Sequence, residues 1–116
     1  MQYLLMIYQN EVEYAKNDAA TSKKMLEEYG AFTQSIIQSG NFKGGDRLQP
    51  TSTATTVRVR DGKVLTTDGP FAETREQLGG YYMIEAKDLD TAIGIAARIP
   101  GARIGSIEVR PIWVYN

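Results

Sequence analysis

The sequence predicts an α+β fold, in which helices lie against one face of a mostly antiparallel sheet. Three observations carry this prediction. Strand-like segments occur at both ends and in the middle of the chain, two segments have helical periodicity, and a hairpin signal lies between them. The elements run strand, helix, strand pair, loop, strand, helix, strand. This order predicts the ferredoxin-like β-α-β-β-α-β topology with an added hairpin.

The first strand and the first long helix have the clearest patterns. "QYLLMIY" (residues 2–8) is a continuous apolar run, which is typical of a strand covered on both faces. A helix is predicted from about Asp18 to Ser39, ended by Gly40. Its apolar stripe, which predicts core packing, consists of Met25, Tyr29, Phe32 and Ile36.

The middle of the chain predicts a hairpin, then a strand and a second helix. In "TTVRVRDGKVLTT" (55–67), valines alternate with arginines before an Asp-Gly pair that favours a type I′ turn. "GYYMIEA" (80–86) is a strand pattern, and "DLDTAIGIAARIP" (88–100) is a helix pattern in which Gly94 indicates a close approach to the sheet. The predicted apolar face of this helix is Leu89, Ala92, Ile93, Ala96 and Ile99.

The last strand, "SIEVRPIWVY" (106–115), predicts a homodimer. One face carries Ile107, Val109, Pro111, Trp113 and Tyr115. The second face begins polar but becomes apolar at Ile112 and Val114. Because the helices cover only one side of such a sheet, this apolar patch needs another cover, most simply a second copy of the chain. The alternative is an edge that lies over the same core.

The composition is that of an ordinary soluble domain. The 116 residues, 42 % hydrophobic and 23 % charged, predict a single domain spanning residues 1–116. A net charge of −1 and the lack of a basic run argue against nucleic acid as a partner. No apolar run approaches the roughly 20 residues that a membrane helix needs. The opening residues do not resemble a signal peptide, so we expect a cytoplasmic protein.

The chain contains no histidine and no cysteine. Zinc and copper sites are therefore disfavoured, and Ser-His or Cys-His nucleophile pairs are impossible within one chain. Any acid–base chemistry would fall to carboxylates, lysine, tyrosine or the amino terminus. We accordingly expect no metal site and no cofactor.

The segment "TTDGPFAETREQLGGYY" (66–82) has the character of a specified loop. Asp68 cannot close the usual Asx turn, because the residue two positions on is Pro70, which has no N–H. Phe71 is expected to anchor the loop in the core. "TREQ" (74–77) fits a capping box, and the following glycine pair (79–80) is expected to end that helical turn with positive φ.

The candidate site residues surround this loop. Asp68 and Glu73 are the candidates for acid–base catalysis, although the alternative for each acidic side chain is a solvated loop. The candidate ligand-binding residues are Arg58, Asp68, Glu76, Tyr82 and Arg110. The two arginines lie on polar strand faces and could hold an anion; the alternatives are surface charge or a pair with Glu108. Tyr81 and Tyr82 point to opposite faces, so one belongs to the core and the other can line a pocket.

These motifs resemble the YCII-related proteins, in particular their DGPF-domain branch. The resemblance spans nearly the whole chain, through "YLLMIY", "TTVRVRDGKV", "DGPFAETREQLGGYYMIE", "DLDTAIGIAARIP" and "EVRPI". It implies a ferredoxin-like fold, dimerisation through the sheets and a pocket near the signature loop. It also implies a bacterial source and an association with extracytoplasmic-function sigma factors. Some members carry a His-Asp pair, which this histidine-free chain lacks.

Three functions remain open at this point. We favour a non-catalytic dimeric domain that binds a small polar or anionic ligand beside the DGPF loop and regulates a partner. The second is a metal-free enzyme that uses a loop carboxylate as general acid or base. The third is an interaction domain linked to sigma-factor-controlled transcription.

Overall fold

The computed structural model describes residues 1–115 and has an α+β fold. Its strands are β1 (Gln2–Gln9), β2 (Phe42–Arg47), β3 (Thr55–Arg60), β4 (Lys63–Asp68), β5 (Gln77–Glu85) and β6 (Ser106–Pro111). Its helices are α1 (Glu11–Ala15), α2 (Ala19–Gln38) and α3 (Leu89–Ala97), with 3₁₀ turns at Thr51–Thr53 and Pro100–Arg103. None of these helices combines the length and apolar character needed to cross a membrane.

The strands form two separate antiparallel sheets. The larger has the order β2-β5-β1-β6, and the smaller is the β3-β4 hairpin. The predicted hairpin is confirmed, with Asp61 (φ 52°) and Gly62 (φ 74°) at its turn. With the hairpin and the short α1 set aside, the chain order is β-α-β-β-α-β.

Strand β2 was missed by the sequence prediction. "FKGGDR" has neither strict alternation nor a β-branched residue, and two glycines weaken a strand pattern. The structure explains one of them, since a Cβ on Gly45 would lie 2.8 Å from the carbonyl oxygen of Tyr81. The lack of a side chain on glycine hides this strand in the sequence, and it also permits the close pairing of β2 with β5.

Helices α2 and α3 cover one face of the larger sheet, and the core lies between these helices and the sheet. The predicted packing of α2 is confirmed for Phe32 and Ile36, both of which are buried. The buried core is Tyr3, Leu5, Ile7, Phe32, Ile36, Tyr82, Ile84, Ala86, Ala92, Ile95, Ala96 and Ile99. These strand residues alternate along β1 and β5, so the helices meet a single pleated face.

Asp18 and Asp88 cap the two longer helices. Asp18 accepts a hydrogen bond from the Thr21 N–H at 2.7 Å, and this bond lowers the pKa of its carboxyl. Asp88 accepts from the hydroxyl and the N–H of Thr91, which likewise lower its pKa. Both helices therefore begin at residues that satisfy an otherwise unpaired backbone donor.

The predicted packing face of α3 is confirmed in part, and Ile99, just beyond the end of the helix, is buried as expected. Ala92 and Ala96 are buried as expected, but Leu89 and Ile93 are each 49 % exposed. Gly94 is also exposed, and an added Cβ there would meet no atom within 4 Å, so the predicted close approach at Gly94 is wrong. The small side chains that allow the helix close to the sheet are the two alanines.

The carboxyl-terminal strand is shorter than its pattern predicted. Strand β6 ends at Pro111, and Ile112 adds one further hydrogen bond from its N–H to the Gln2 carbonyl at 3.0 Å. Because β1 begins at Gln2, the chain beyond has no strand to pair with. Trp113 and Tyr115 are more than four-fifths exposed, so the prediction that they share a strand face with Ile107 and Val109 is wrong.

Candidate functional site

A cavity of about 280 Å³ lies between α1 and α2 on one side and the adjoining ends of β1, β5 and β2 on the other. Its walls are mainly aromatic and aliphatic: Ile7, Tyr14, Leu26, Tyr29, Phe42 and Tyr82. Glycines of β2 and β5 form part of its floor, and polar groups at its edge include Gln9 and Arg47. The cavity thus combines apolar walls with a few polar groups, as small-molecule sites do.

A network of hydroxyl groups fixes the wall contributed by α2. Thr33 donates its hydroxyl proton to the Tyr29 carbonyl at 2.9 Å, so the Tyr82 hydroxyl, 2.7 Å from Thr33 Oγ1, is the donor in the second bond. The Tyr29 hydroxyl accepts from the Gly101 N–H at 3.1 Å. Burial raises the pKa of Tyr29 to about 12, so this wall is uncharged at neutral pH.

Two aromatic neighbours hold the ring of Tyr82. Phe32 meets it edge-to-face with ring centroids 5.2 Å apart, and Phe42 does so at 6.4 Å. Such pairs stabilise a buried ring beyond simple area burial. Tyr82 is therefore a rigid wall residue that belongs to both the core and the cavity.

The floor of the cavity contains three glycines, and they differ in what a side chain at each position would meet. A Cβ on Gly45 or Gly80 would press on the neighbouring strand, at 2.8 Å from the Tyr81 oxygen and 3.0 Å from the Asp46 oxygen respectively. Gly79 differs, because its nearest neighbour would be the Gln9 side chain at an ordinary 3.5 Å. Strand pairing therefore requires the first two glycines, whereas Gly79 is left without a β1 partner at a register shift and has room for a Cβ.

Two charged residues line the cavity, Asp46 and Arg47, and the described part of the chain offers neither of them a salt bridge. Arg47 pairs with Gly80 in the sheet register and so faces the helices, while its neighbour Asp46 faces the opposite side and accepts from the Tyr81 hydroxyl at 2.9 Å. That bond raises the pKa of Tyr81. Within the described part of the chain, Arg47 forms no salt bridge. Arg47 thus places a positive charge on the helix side of the cavity edge, while the Asp46 carboxylate is turned to the other sheet face.

Helix α1 is tied in place across the cavity. The Glu11 carboxylate accepts from the N–H of Thr51 at 2.8 Å and from its hydroxyl at 2.7 Å. The Glu11 N–H donates to Gln77 Oε1 at 2.9 Å, and Asn10 Nδ2 donates to the Arg75 carbonyl at 3.2 Å. These bonds join α1, which carries Tyr14, to the end of the signature loop.

A second, shallower depression lies on the β6 side of the sheet and is lined by Tyr8, Glu76, Ser106, Ile107 and Glu108. Ser106 Oγ donates to Glu76 Oε1 at 2.8 Å. Glu108 forms an ion pair with Arg110. The acidic groups of this depression are thus already engaged with the protein's own side chains.

The structure separates the residues that the sequence proposed as one site. Tyr82 lines the main cavity, Glu76 lines the second depression, and Arg110 pairs with Glu108 beside it. Arg58 lies on the exposed hairpin. Asp68 ends β4 with an exposed side chain, and Glu73 is exposed in the loop that follows; these last three residues line neither cavity.

Three expectations about the signature loop are corrected. Phe71 is 79 % exposed and anchors nothing. Residues 74–77 form no helical turn; Gln77 Nε2 donates instead to the Thr74 carbonyl at 2.5 Å. Gly79 and Gly80 lie inside β5 without positive φ, and the loop's left-handed glycine is Gly69 (φ 100°). Strand pairing of β5 with β1 and β2 has overridden the local capping pattern.

The sequence prediction missed most of the cavity because it missed β2. Gly45 and Arg47 belong to that strand, and Gln9 and Tyr14 lie in a stretch to which no element was assigned. A signal was present: two consecutive glycines followed by charged residues, at a distance from any turn. Glycine inside a strand marks close approach of another backbone or of a ligand.

Comparison with known proteins places the chain in a family. The model of the YCII-related domain matches residues 1–116. An uncharacterised protein of Rhizobium meliloti (strain 1021) is 33 % identical over 118 aligned positions, which cover 100 % of this chain and 95 % of that protein. The resemblance of the signature segments is therefore confirmed, and the chain belongs to the YCII-related family.

Proposed function

We propose that this YCII-related domain binds a small molecule in the cavity between α2 and the glycine floor. The observation that carries the proposal is the cavity itself, with aromatic walls and an arginine that has no ionic partner among residues 1–115. Its volume of about 280 Å³ is close to the lower end of the usual range for ligand pockets.

The energetics of packing support a ligand. The cavity opens to solvent, so its apolar walls remain in water, and a ligand that covers them gains the free energy of burying apolar surface. Here the walls are held rigid by the Thr33–Tyr82 hydrogen bond and by the ring contacts of Tyr82. A cavity that is kept open by specific contacts is preorganised for an occupant.

The position of the site favours binding over catalysis by the loop carboxylates. The signature segment reaches the cavity through Gly79 and Gly80, whereas Asp68 and Glu73 lie on exposed chain outside it. A general base has to be within hydrogen-bond reach of its substrate. The non-catalytic alternative therefore has the stronger geometric support.

We also propose that the β-α-β-β-α-β body is ferredoxin-like and forms a homodimer through its open sheet face. That face carries the half-buried Leu4, Tyr81 and Met83 and the buried Met6, and the core residues of α2 and α3 pack on the opposite face. The Glu108–Arg110 pair at its β6 edge offers both signs of charge, which suits the self-complementary contact of a two-fold dimer. The DGPF branch, a bacterial source and a sigma-factor association rest on the family resemblance, the cytoplasmic location rests on the pattern of the opening residues, and the regulatory role is part of the proposed function.

The binding proposal is tested by filling the cavity. Leu26 lines it from an exposed position on α2, so Leu26→Trp should occupy the space without disturbing the core. Ile37→Trp, on the same helix but away from the cavity, is the matched control. We expect native mass spectrometry of the freshly purified protein to show a bound small molecule in the wild type and the control, and its loss in Leu26→Trp. Equal retention in all three would contradict the proposed site.

The dimer is tested by placing a charge on the open face. Leu4→Lys should convert a dimer into a monomer in sedimentation equilibrium at micromolar concentration, while Val12→Lys on α1 should not. A wild-type monomer under these conditions would refute the dimer without affecting the binding proposal.

A further inference from the structure

We infer that the ligand of this cavity is a flat aromatic monoanion, with its ring against the glycine floor and its acidic group on Arg47. This inference rests on the proposed binding function and specifies the chemistry of the occupant. It depends on three features of the cavity: the shape of the floor, the chemistry of the walls and the balance of charge at the edge.

The floor favours a flat group. Gly45, Gly79 and Gly80 together leave a stretch of bare backbone at the junction of β2, β5 and β1. Gly79 is the informative one, because ordinary van der Waals distances would allow a Cβ there. A glycine that packing does not require is accounted for if a ligand approaches the backbone closely.

The walls favour an aromatic group. Tyr14, Tyr29, Phe42 and Tyr82 surround the space. Aromatic side chains bind other rings through offset-stacked and edge-to-face contacts. The hydroxyls of Tyr29 and Tyr82 are already engaged, with Gly101 and Thr33 respectively. The body of the ligand therefore meets mainly apolar and ring surface.

The charges at the edge favour one negative group. Asp46 also lines the cavity, but its carboxylate accepts from Tyr81 on the opposite sheet face, and the Glu11 carboxylate accepts from Thr51. Arg47 is the cationic group among the residues that line the cavity, and it has no ionic partner in the described chain. A guanidinium binds a carboxylate through paired hydrogen bonds, which orients the ligand as well as holding it.

The inference is tested with three probes that share one ring system: 2-naphthoate, 2-naphthalenemethanol and 2-naphthalenemethylamine. Binding is measured by titration of the ¹⁵N-labelled protein, with the amide signals of Gly45, Gly79 and Gly80 as reporters of the site. We expect the anion to bind most tightly and the cation most weakly. Arg47→Gln should weaken 2-naphthoate by about ten-fold or more, since hydrogen bonds to charged groups are the strong ones. It should leave the neutral alcohol unchanged.

Two variants complete the experiment. Arg58→Gln, on the exposed hairpin, is the arginine control and should not change 2-naphthoate binding. Gly79→Ala should weaken all three probes while the midpoint of unfolding stays nearly constant, because the added methyl group contacts the protein only at ordinary van der Waals distances but takes space from the ligand.

The outcomes separate the inference from the function on which it rests. If the alcohol binds as tightly as the anion and Arg47→Gln has no effect, the acidic group is wrong but the binding site stands. If Gly79→Ala does not weaken the aromatic probes, the flat floor contact is wrong. If none of the three probes shifts the floor glycines, and Leu26→Trp also loses no co-purified molecule, both the ligand class and the site are refuted.

Discussion

The β3-β4 hairpin differs from the body of the molecule, which is the four-stranded sheet with its helices, in how well the sequence pattern agrees with the packing. The hairpin has the clearer strand signal, with alternating valines and an Asp-Gly turn, yet Val57, Val59 and Val64 are each more than half exposed. In the body, Leu5 and Ile84 are completely buried. Local sequence therefore specifies a strand and its turn, but only the surrounding elements decide whether its apolar face is covered.

The shape of the molecule reflects this contrast. The radius of gyration is 16.2 Å, against about 13 Å for a compact chain of about 100 residues. The hairpin is held at its base, where Gly69 donates its N–H to the Ala54 carbonyl at 2.7 Å and accepts from the Thr56 hydroxyl at 2.9 Å. A two-stranded sheet of this kind has little stability of its own. We expect the hairpin to open independently of the body.

The largest expected difference between the two regions comes from truncating one apolar side chain in each of them. Leu5→Ala should lower the free energy of unfolding by about 2–5 kcal/mol, because it leaves a cavity in a closed core. Val64→Ala, on the hairpin, should change it by less than about 0.5 kcal/mol. Urea unfolding followed by circular dichroism measures both. A cost for Val64→Ala as large as that for Leu5→Ala would mean that another chain buries the hairpin valines, and dilution would then reduce it.

A smaller effect separates the glycines of the two regions. Gly105 in the body has no room for a side chain, since a Cβ would lie 2.1 Å from the Tyr8 carbonyl oxygen. Gly105→Ala should therefore cost about 1–3 kcal/mol of global stability, and Gly105→Asn more. Gly62 in the hairpin turn has open space but a φ of 74°.

At the turn glycine, Gly62, asparagine should be tolerated better than alanine, and the effect of either substitution should be confined to the hairpin. Gly62→Ala should speed amide exchange in residues 55–68 by about ten-fold, in keeping with the roughly 1–2 kcal/mol penalty for a left-handed alanine. Gly62→Asn should do so less, because asparagine tolerates this conformation. If asparagine is the better replacement at both positions, then conformation and not space limits Gly105 as well, and the distinction between the two regions fails.

The same contrast explains how far the sequence could predict the structure. Elements with a strong pattern of their own, such as the α2 stripe at Phe32 and Ile36 and the hairpin turn at Gly62, are found where expected. The errors involve features that depend on partners distant in sequence. The capping box at 74–77 was overridden by the pairing of β5, and β2 pairs closely with β5 because Gly45 fits against Tyr81. The cavity is built from β2, α1 and α2 together, and its local signal is limited to the glycine pair of β2.

The smallest expected effect is a loss of stability at alkaline pH, which should occur in the body and not in the hairpin. Burial raises the pKa of Tyr29 to about 12, whereas an unfolded tyrosine titrates near about 10. Between these values the folded state keeps a proton that the unfolded state has lost, so stability is complete below pH 10 and falls as the pH rises toward 12. Tyr29→Phe should be less stable at pH 8, because the Gly101 N–H loses its acceptor, but its urea midpoint should fall less between pH 9.5 and 11. Amide exchange of the hairpin, corrected for its intrinsic pH dependence, should not follow this titration. A Tyr29→Phe profile parallel to that of the wild type would show that the alkaline loss arises elsewhere, with the half-buried Tyr81, whose pKa is also raised, as the next tyrosine to replace.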